Sequence, residues 1–315
     1  MEYTKLGSTG VDVSQLCLGT SNFNRERSGV LETDRETAHE LLDRFATAGG
    51  NFIDTANTYG SGESEVWIGE WLADRDREDY VIASKVYWSQ VSRFSGNLSR
   101  KNIRAEIEGS LERLDTDYLD VYYIHRFDEQ TPLTETMQTL DGLVREGKVH
   151  YLAASSMAAW QLTKALWTSD VEGLERFEVT QPRFNAAERP TDYLDVCADQ
   201  GLAVCPYSPL GGGFLTGKYE AGEAAEGTRA DLHDWDLDFS ERQWRVLDAV
   251  QSVAESVEAS PAQVALRWLV DQRGFTCVPI FGARTVEQLE DNLAALHVSL
   301  SDEQFERIDE AYAEA

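Results

Sequence analysis

Asp54 and Tyr59 share one short stretch, NFIDTANTYGSGESE, residues 51–65. The acid follows two apolar residues, and the phenol stands at the start of a run of glycines and serines. Such a pair is half of a proton-transfer site. A phenol ordinarily holds its proton until about pH 10, and a neighbouring ammonium favours the phenolate. An amine and an imidazole are available from Lys85, which ends VIASK, and His125, which ends VYYIH. Each residue alone also has a plainer role. Asp54 could cap a turn, Tyr59 could pack, Lys85 could be a solvated strand end, and His125 a hydrogen-bonded core histidine. Only a fold that brings all four together separates the two readings.

The chain carries a repeat that would do so. Strand-like runs cover 15–19, 51–56, 80–85, 119–125, 149–155, 177–181, 202–208 and 276–282. Most are short, apolar and rich in β-branched or aromatic residues, as strands buried on both faces should be. Helix-like sequence lies between them. DRETAHELLDRFATAGG (34–50) opens on acids and ends on glycine, as a helix does from first turn to C-cap. SRKNIRAEIEGSLERLD and PLTETMQTLDGLVREGK place apolar residues at three- and four-residue steps. SPAQVALRWLVDQRG offers a serine N-cap followed by proline at the first helical position.

Eight such strands, each followed by a helix, predict an α/β fold of the (β/α)8 TIM barrel type, as one domain over 1–315. MEYTKLGSTGVDVSQLCLG predicts an N-terminal β-hairpin with GSTG as its turn, and LSDEQFERIDEAYAEA a C-terminal extra helix. The acidic, Gly-rich segment 209–240 is a candidate active-site loop. Catalytic residues of such barrels stand at the C-terminal ends of the strands. Asp54, Lys85, His125, Ser155, Gln181, Tyr207, Ser208 and Gly282 all fall on that rim, with Tyr59 in the loop after Asp54. The plainer roles leave this shared rim unexplained.

Composition narrows the partners. With 56 acidic against 28 basic residues the net charge is −28, which repels nucleic acid and anionic membranes. Acids this abundant beside so few lysines resemble the surfaces of proteins from salt-loving organisms. Self-repulsion then predicts a higher melting temperature in molar salt than in dilute buffer, and equal melting in both would sink the idea. No apolar run is long enough to span a membrane, and the polar start MEYTKLGSTG lacks the pattern of a signal peptide. Cys17, Cys197, Cys205 and Cys277 are scattered. They predict buried free thiols, no metal site and a cytoplasmic setting.

The motifs FIDTANTYGSGESE, VIASK, YYIHRFD, GKVHYLAASSM, QPRFN, PYSPLGGGFLTGKY and GARTVEQLEDN together resemble the aldo-keto reductase family over nearly the whole chain. The resemblance implies hydride transfer between NADPH and the carbonyl or alcohol group of an aldehyde, ketone or sugar. It implies Tyr59 as general acid/base, with its pKa lowered toward working pH by Lys85. Asp54 would pair with Lys85, and His125 would polarise the substrate oxygen. It also implies Tyr207 against the nicotinamide ring, and Gln181, Ser155 and Ser156 near its carboxamide. Ser208, Leu210, Gly211 and Lys218 would hold the pyrophosphate, and Gly282, Arg284, Gln288 and Asn292 the adenosine end. Arg284 is the partner for a 2′-phosphate, since guanidinium matches phosphate geometry; its plainer role is an ion pair with Glu287 or Glu290. Three positions depart from the family: Ser156 where asparagine is common, Phe184 where tyrosine is usual, and Ala153 for a frequent glycine. Phe23, Trp88 and Phe127 are candidates for the substrate wall by position.

Two other readings come from the same residues. Gly212, Gly217 and Lys218 mimic a phosphate loop, but Tyr219 follows where Ser or Thr would hold magnesium. The resemblance also extends to regulatory subunits of potassium channels, which would make the chain a cofactor-binding redox sensor.

Overall fold

The computed structural model describes residues 1–92, 96–219 and 238–313. Most of the predicted active-site loop, 220–237, lies outside the described residues. Strands β1 (Tyr3–Lys5) and β2 (Asp12–Ser14) form the expected antiparallel hairpin. After β3 (Cys17–Gly19) comes a second small hairpin, β4 (Glu26–Arg27) with β5 (Val30–Leu31), turning on Ser28 and Gly29, which the strand-like runs above did not include. Then follow β6 (Phe52–Asp54), β7 (Val81–Val86), β8 (Leu119–Ile124), β9 (Val149–Ser155), β10 (Phe177–Gln181), β11 (Ala203–Val204) and β12 (Ile280–Phe281).

Eight strands form one parallel sheet in the order β11-β10-β9-β8-β7-β6-β3-β12. The sheet closes on itself where Val204 bridges Cys277: the Val204 N–H donates to Thr276 O at 2.8 Å and the Val278 N–H to Val204 O at 2.9 Å. The last two strands are shorter than the runs 202–208 and 276–282 suggested. Pro206 and Pro279 each remove a backbone donor from the ladder there.

The helices form where local signals put them. Arg35–Thr47 starts on Asp34, whose carboxylate accepts the Thr37 N–H at 2.9 Å. Pro261–Val270 starts on Ser260, reciprocally capped with Gln263. The final helix is Asp302–Ala313. Apolar side chains fill two layers. One lies between sheet and helices; the other fills the barrel, where Phe52, Val121, Tyr123 and Ala153 pack together. The first hairpin closes the barrel floor with Leu6 and Val13. It is held close to the sheet: Gly7 has φ +62, and a Cβ there would lie 2.7 Å from the Ala203 nitrogen.

Helix Glu63–Leu72 hides a charge that the Gly/Ser run did not foretell. The Glu65 side chain is fully buried; it accepts from Arg113 Nε at 2.7 Å and from the Ser84 hydroxyl. Glu65→Ala strands the Arg113 charge. Arg113 keeps some access to water, so the cost is at the low end for such pairs, about 3 kcal/mol. Urea denaturation checks this, and a loss under about 0.5 kcal/mol, the range of ordinary surface changes, would contradict it.

Candidate active site

The rim assembles four groups from three strands. Asp54 ends β6, Lys85 lies at the end of β7, and His125 follows β8 directly. Lys85 Nζ donates to Asp54 Oδ1 at 2.6 Å, to the Thr55 carbonyl at 2.7 Å and to the Tyr59 hydroxyl at 3.2 Å. Gln181 Nε2, from the end of β10, donates to the other Asp54 oxygen at 2.9 Å. Tyr59 reaches this group because its loop turns tightly. The Tyr59 N–H donates to Ala56 O, and the 3₁₀ turn Tyr59–Gly62 follows. Gly60 has φ +55, and a Cβ there would sit 2.6 Å from the Phe23 carbonyl oxygen, so the turn has room only for glycine.

Burial and charge act against each other here. Burial disfavours the Lys85 ammonium, but Asp54 and Tyr59 outweigh it and hold the pKa above its ordinary value. Burial pushes Asp54 upward while Lys85 and Gln181 pull it down, the net direction being up. Tyr59 departs from expectation. Its pKa is raised rather than lowered, because burial dominates and Asp54 offsets part of the pull of Lys85. Tyr59 therefore keeps its proton at neutral pH. His125 is lowered to about 3 by burial, then by Lys85 and Arg126, so its imidazole is neutral. The ring stands edge-on to Tyr59 (centroids 6.0 Å) and to Trp88 (4.8 Å). Its buried Nδ1 has no hydrogen-bond partner among the described residues.

Above these groups opens a cavity of about 790 Å³. Asp54, Tyr59 and His125 line it; Lys85 lies beneath, fully buried, and reaches it through Tyr59 and Asp54. Ser155, Ser156, Gln181, Tyr207, Ser208, Leu210, Lys218, Gly282, Arg284, Gln288 and Asn292 also line it, whereas Gly211 sits between lining residues. The Gln181 amide is engaged on Asp54, and the Ser155 hydroxyl donates to Gln181 O at 2.9 Å. Ser156 (φ +50) and Ser208 (φ +54) are left-handed, a conformation that costs a non-glycine residue about 1–3 kcal/mol and concentrates at functional sites. Asn185 holds the second by donating to Ser208 O at 3.2 Å. In the phosphate-loop mimic Tyr219 is buried and donates its hydroxyl to Gly212 O at 3.0 Å, while Gly212 and Lys218 line the cavity.

Arg284 is half-buried at the cavity edge and, among the described residues, makes no ion pair; Glu290 is taken by Arg44 at 2.7 Å. Its backbone N–H donates to the Gln288 side chain at 2.9 Å, just ahead of helix Val286–Ala294.

Of the three substrate candidates only Trp88 lines the cavity. Phe23 is fully buried against Trp67, with ring centroids 6.3 Å apart, because its ring turns toward helix Glu63–Leu72. Phe127 lies outside the cavity beside Trp160 on helix Ala159–Glu172, at 6.0 Å. Position along the strand end gave the segment but not the direction of either ring. Asn22, Arg25, Glu32 and Arg126 line the cavity without having been singled out. The strand-end rule, applied to the loop after β3 and one residue beyond His125, points to all of them. Asn22 joins two rim loops by donating to Thr33 Oγ1 at 2.6 Å and to Ala283 O at 2.7 Å.

A closed parallel barrel with an ionisable cluster at its strand ends, under a large cavity, is the layout of a barrel enzyme. The chain belongs to the aldo/keto reductase family, whose family model matches residues 15–313. It is similar to the norsolorinic acid reductase stcV of Emericella nidulans, at 38% identity over 96% of this chain and 79% of the relative. It is also similar to the uncharacterized oxidoreductase YrpG of Bacillus subtilis, at 37% over 96% and 93%, and to the aryl-alcohol dehydrogenase GME11368 of Pestalotiopsis microspora, at 37% over 97% and 80%. Family and relatives make the chain an oxidoreductase of a family that uses a nicotinamide cofactor and small-molecule carbonyl or alcohol substrates. Among the described residues there is no His, Cys, Asp and Glu cluster suited to a metal and no helix long and apolar enough to cross a membrane.

Proposed function

We propose that this chain is an NADPH-dependent oxidoreductase that interconverts a carbonyl compound and its alcohol, with Tyr59 as general acid and base. The observation that carries this reading is Lys85 Nζ, bonded at once to Asp54 at 2.6 Å and to the Tyr59 hydroxyl at 3.2 Å, beneath a cavity that His125 also lines. When bound, the nicotinamide supplies the hydride for reduction and accepts it in oxidation. The chain's residues manage the oxygen. Neutral His125 donates a hydrogen bond to the substrate oxygen, and Tyr59 passes its proton to that oxygen as negative charge develops. Lys85 stabilises the phenolate left behind, and Asp54 keeps Lys85 charged and aimed. Positioned proton transfer of this kind is worth roughly 10²–10⁴-fold in rate.

The cofactor fits the donors present. Tyr207 offers its ring, Lys218 and the left-handed turns at Gly212 and Gly213 flank the anionic middle, and Arg284 offers a guanidinium that makes no ion pair among the described residues. Arg284 supports NADPH over NADH, since it suits a 2′-phosphate. Arg284→Ala is expected to raise the Kd for NADPH about tenfold or more and to leave NADH little changed. Fluorescence titration with both cofactors measures it, and equal losses would remove the 2′-phosphate from the assignment.

Trp88 at the mouth and the names of the relatives favour aromatic aldehydes and alcohols as substrates. The whole chain, 1–315, acts as one domain in this reading. Four buried free thiols suit a reducing cytoplasm. The test is nicotinamide absorbance with a panel of aromatic aldehydes, at low and high salt. Tight NADPH binding without consumption of any aldehyde would overturn the enzyme in favour of a redox-sensing subunit.

A further inference from the structure

Around the closed sheet, β8 and β12 stand four strands apart in a ring of eight, on opposite sides of the barrel mouth. Arg284, beyond β12, belongs to the side assigned above to the cofactor. Arg126 is one residue past His125 on the far side, and it too lines the cavity. Its neighbours form an aromatic wall of rings set edge to face. The Arg126 guanidinium lies 5.4 Å above the Tyr87 ring, Tyr87 meets Trp88 edge-on at 5.2 Å, and Trp88 meets His125 at 4.8 Å. The wall is braced from behind: Asn57 Nδ2 donates to Trp88 O at 2.8 Å and Asn102 Nδ2 to Tyr87 O at 3.0 Å.

Two other cations at the mouth and beneath it are spoken for. Lys85 is committed to Asp54, and Arg25 faces Glu32 at 3.6 Å. Arg126 makes no ion pair among the described residues, although acids outnumber bases 56 to 28 in this chain. In so acidic a protein, a guanidinium left without a carboxylate at the mouth of the site is a position kept for an incoming anion. Guanidinium and carboxylate match in a bidentate fork, and the cation–π contact with Tyr87 favours the guanidinium at this place.

From these contacts we infer that Arg126 is a specificity-determining residue that binds a carboxylate on the substrate, so that the preferred substrates are aromatic aldehydes or alcohols bearing a carboxylate away from the reacting carbon. The inference rests on the proposed oxidoreductase reading and names the substrate class of that same site. It is a binding role: the group recognised is remote from the carbonyl, and Trp88 receives the ring between them. Arg126 is exposed, so added salt is expected to weaken the preference.

The experiment compares 4-formylbenzoate with its neutral methyl ester in the wild-type chain and in Arg126→Gln. Wild type is expected to favour the carboxylate in kcat/KM. The substitution should cut that preference about tenfold, through KM rather than kcat, as loss of a hydrogen-bonded charge partner does. A second arm needs no turnover: tryptophan fluorescence titration with benzoate and with benzamide. Wild type is expected to bind benzoate about tenfold tighter than benzamide, and Arg126→Gln to bind both alike. An unchanged preference in the variant, or no benzoate preference in wild type, overturns the assignment. So does a loss of NADPH affinity in Arg126→Gln, which would move Arg126 to the cofactor. If no aldehyde is turned over, the oxidoreductase reading falls, while the benzoate arm still decides Arg126.

Discussion

Tyr59→Phe is expected to slow aldehyde reduction by roughly 10²–10⁴-fold in kcat, the range for loss of a positioned proton donor. NADPH binding should stay close to wild type. The substitution takes away one oxygen and little else. The ring keeps its edge-on contact with His125, and Lys85 Nζ retains Asp54 at 2.6 Å and the Thr55 carbonyl at 2.7 Å as acceptors. No buried charge is stranded, so the fold should hold. Single-turnover kinetics with saturating NADPH isolates the chemical step from release of product. A rate near that of wild type would sink Tyr59 as the donor. His125 could not readily replace it by giving up a proton from the charged form, because burial, with Lys85 and Arg126, lowers that group to about 3.

Lys85→Met should show a comparable loss, about 10²-fold or more, with a signature of its own in the pH profile. Reduction needs the protonated phenol, so its rate falls as pH rises through the Tyr59 pKa. Burial sets that pKa above the ordinary phenol value, with Lys85 pulling it down and Asp54 pushing it up. Removing the ammonium removes the downward pull and keeps both upward ones, so the alkaline fall in reduction must move to higher pH. Alcohol oxidation needs the phenolate, so its alkaline rise must move the same way. Measuring kcat against pH in both directions checks the sign. An unmoved limb would mean that Lys85 does not act on Tyr59 electrostatically. The variant also leaves Asp54 with Gln181 as its side-chain donor, so its stability should be recorded alongside; removing one partner of a buried pair costs about 3–5 kcal/mol.

Much of this site was legible because barrel strands are short apolar runs whose last residues face one rim. Lys85, His125 and Ser155 are polar residues that follow four mostly apolar ones, and Asp54 and Gln181 end shorter or mixed runs; that contrast survives without coordinates. The β9 and β10 boundaries follow directly, since 149–155 and 177–181 are the strands observed. What was not legible is direction and depth. Phe23 and Trp88 both lie just past a strand end, yet one ring turns into the core and the other into the cavity. Rotamer and loop path decide that, and neither has a period. Glu65 looked like part of a polar turn, because nothing local announces that Arg113, 48 residues away, will neutralise it. The Tyr59 pKa failed in sign for a similar reason. Pairing a phenol with a lysine suggests a fall, whereas the depth of burial, a property of the whole fold, sets the outcome.

The barrel's hydrogen-bonded wall is uneven. On one flank β7 to β10 run five to seven residues each, while at the closure β11 and β12 span two apiece. Few backbone bonds therefore separate the closed barrel from a locally opened one at that seam, and amide protons at Val204 and Val278 should exchange with solvent sooner than those of β8 and β9. Tyr207 and Arg284 lie just past the two edges of the same seam. A ligand that grips both spans it like a clasp, so saturation with cofactor should slow exchange there more than elsewhere and raise the melting temperature with ligand concentration.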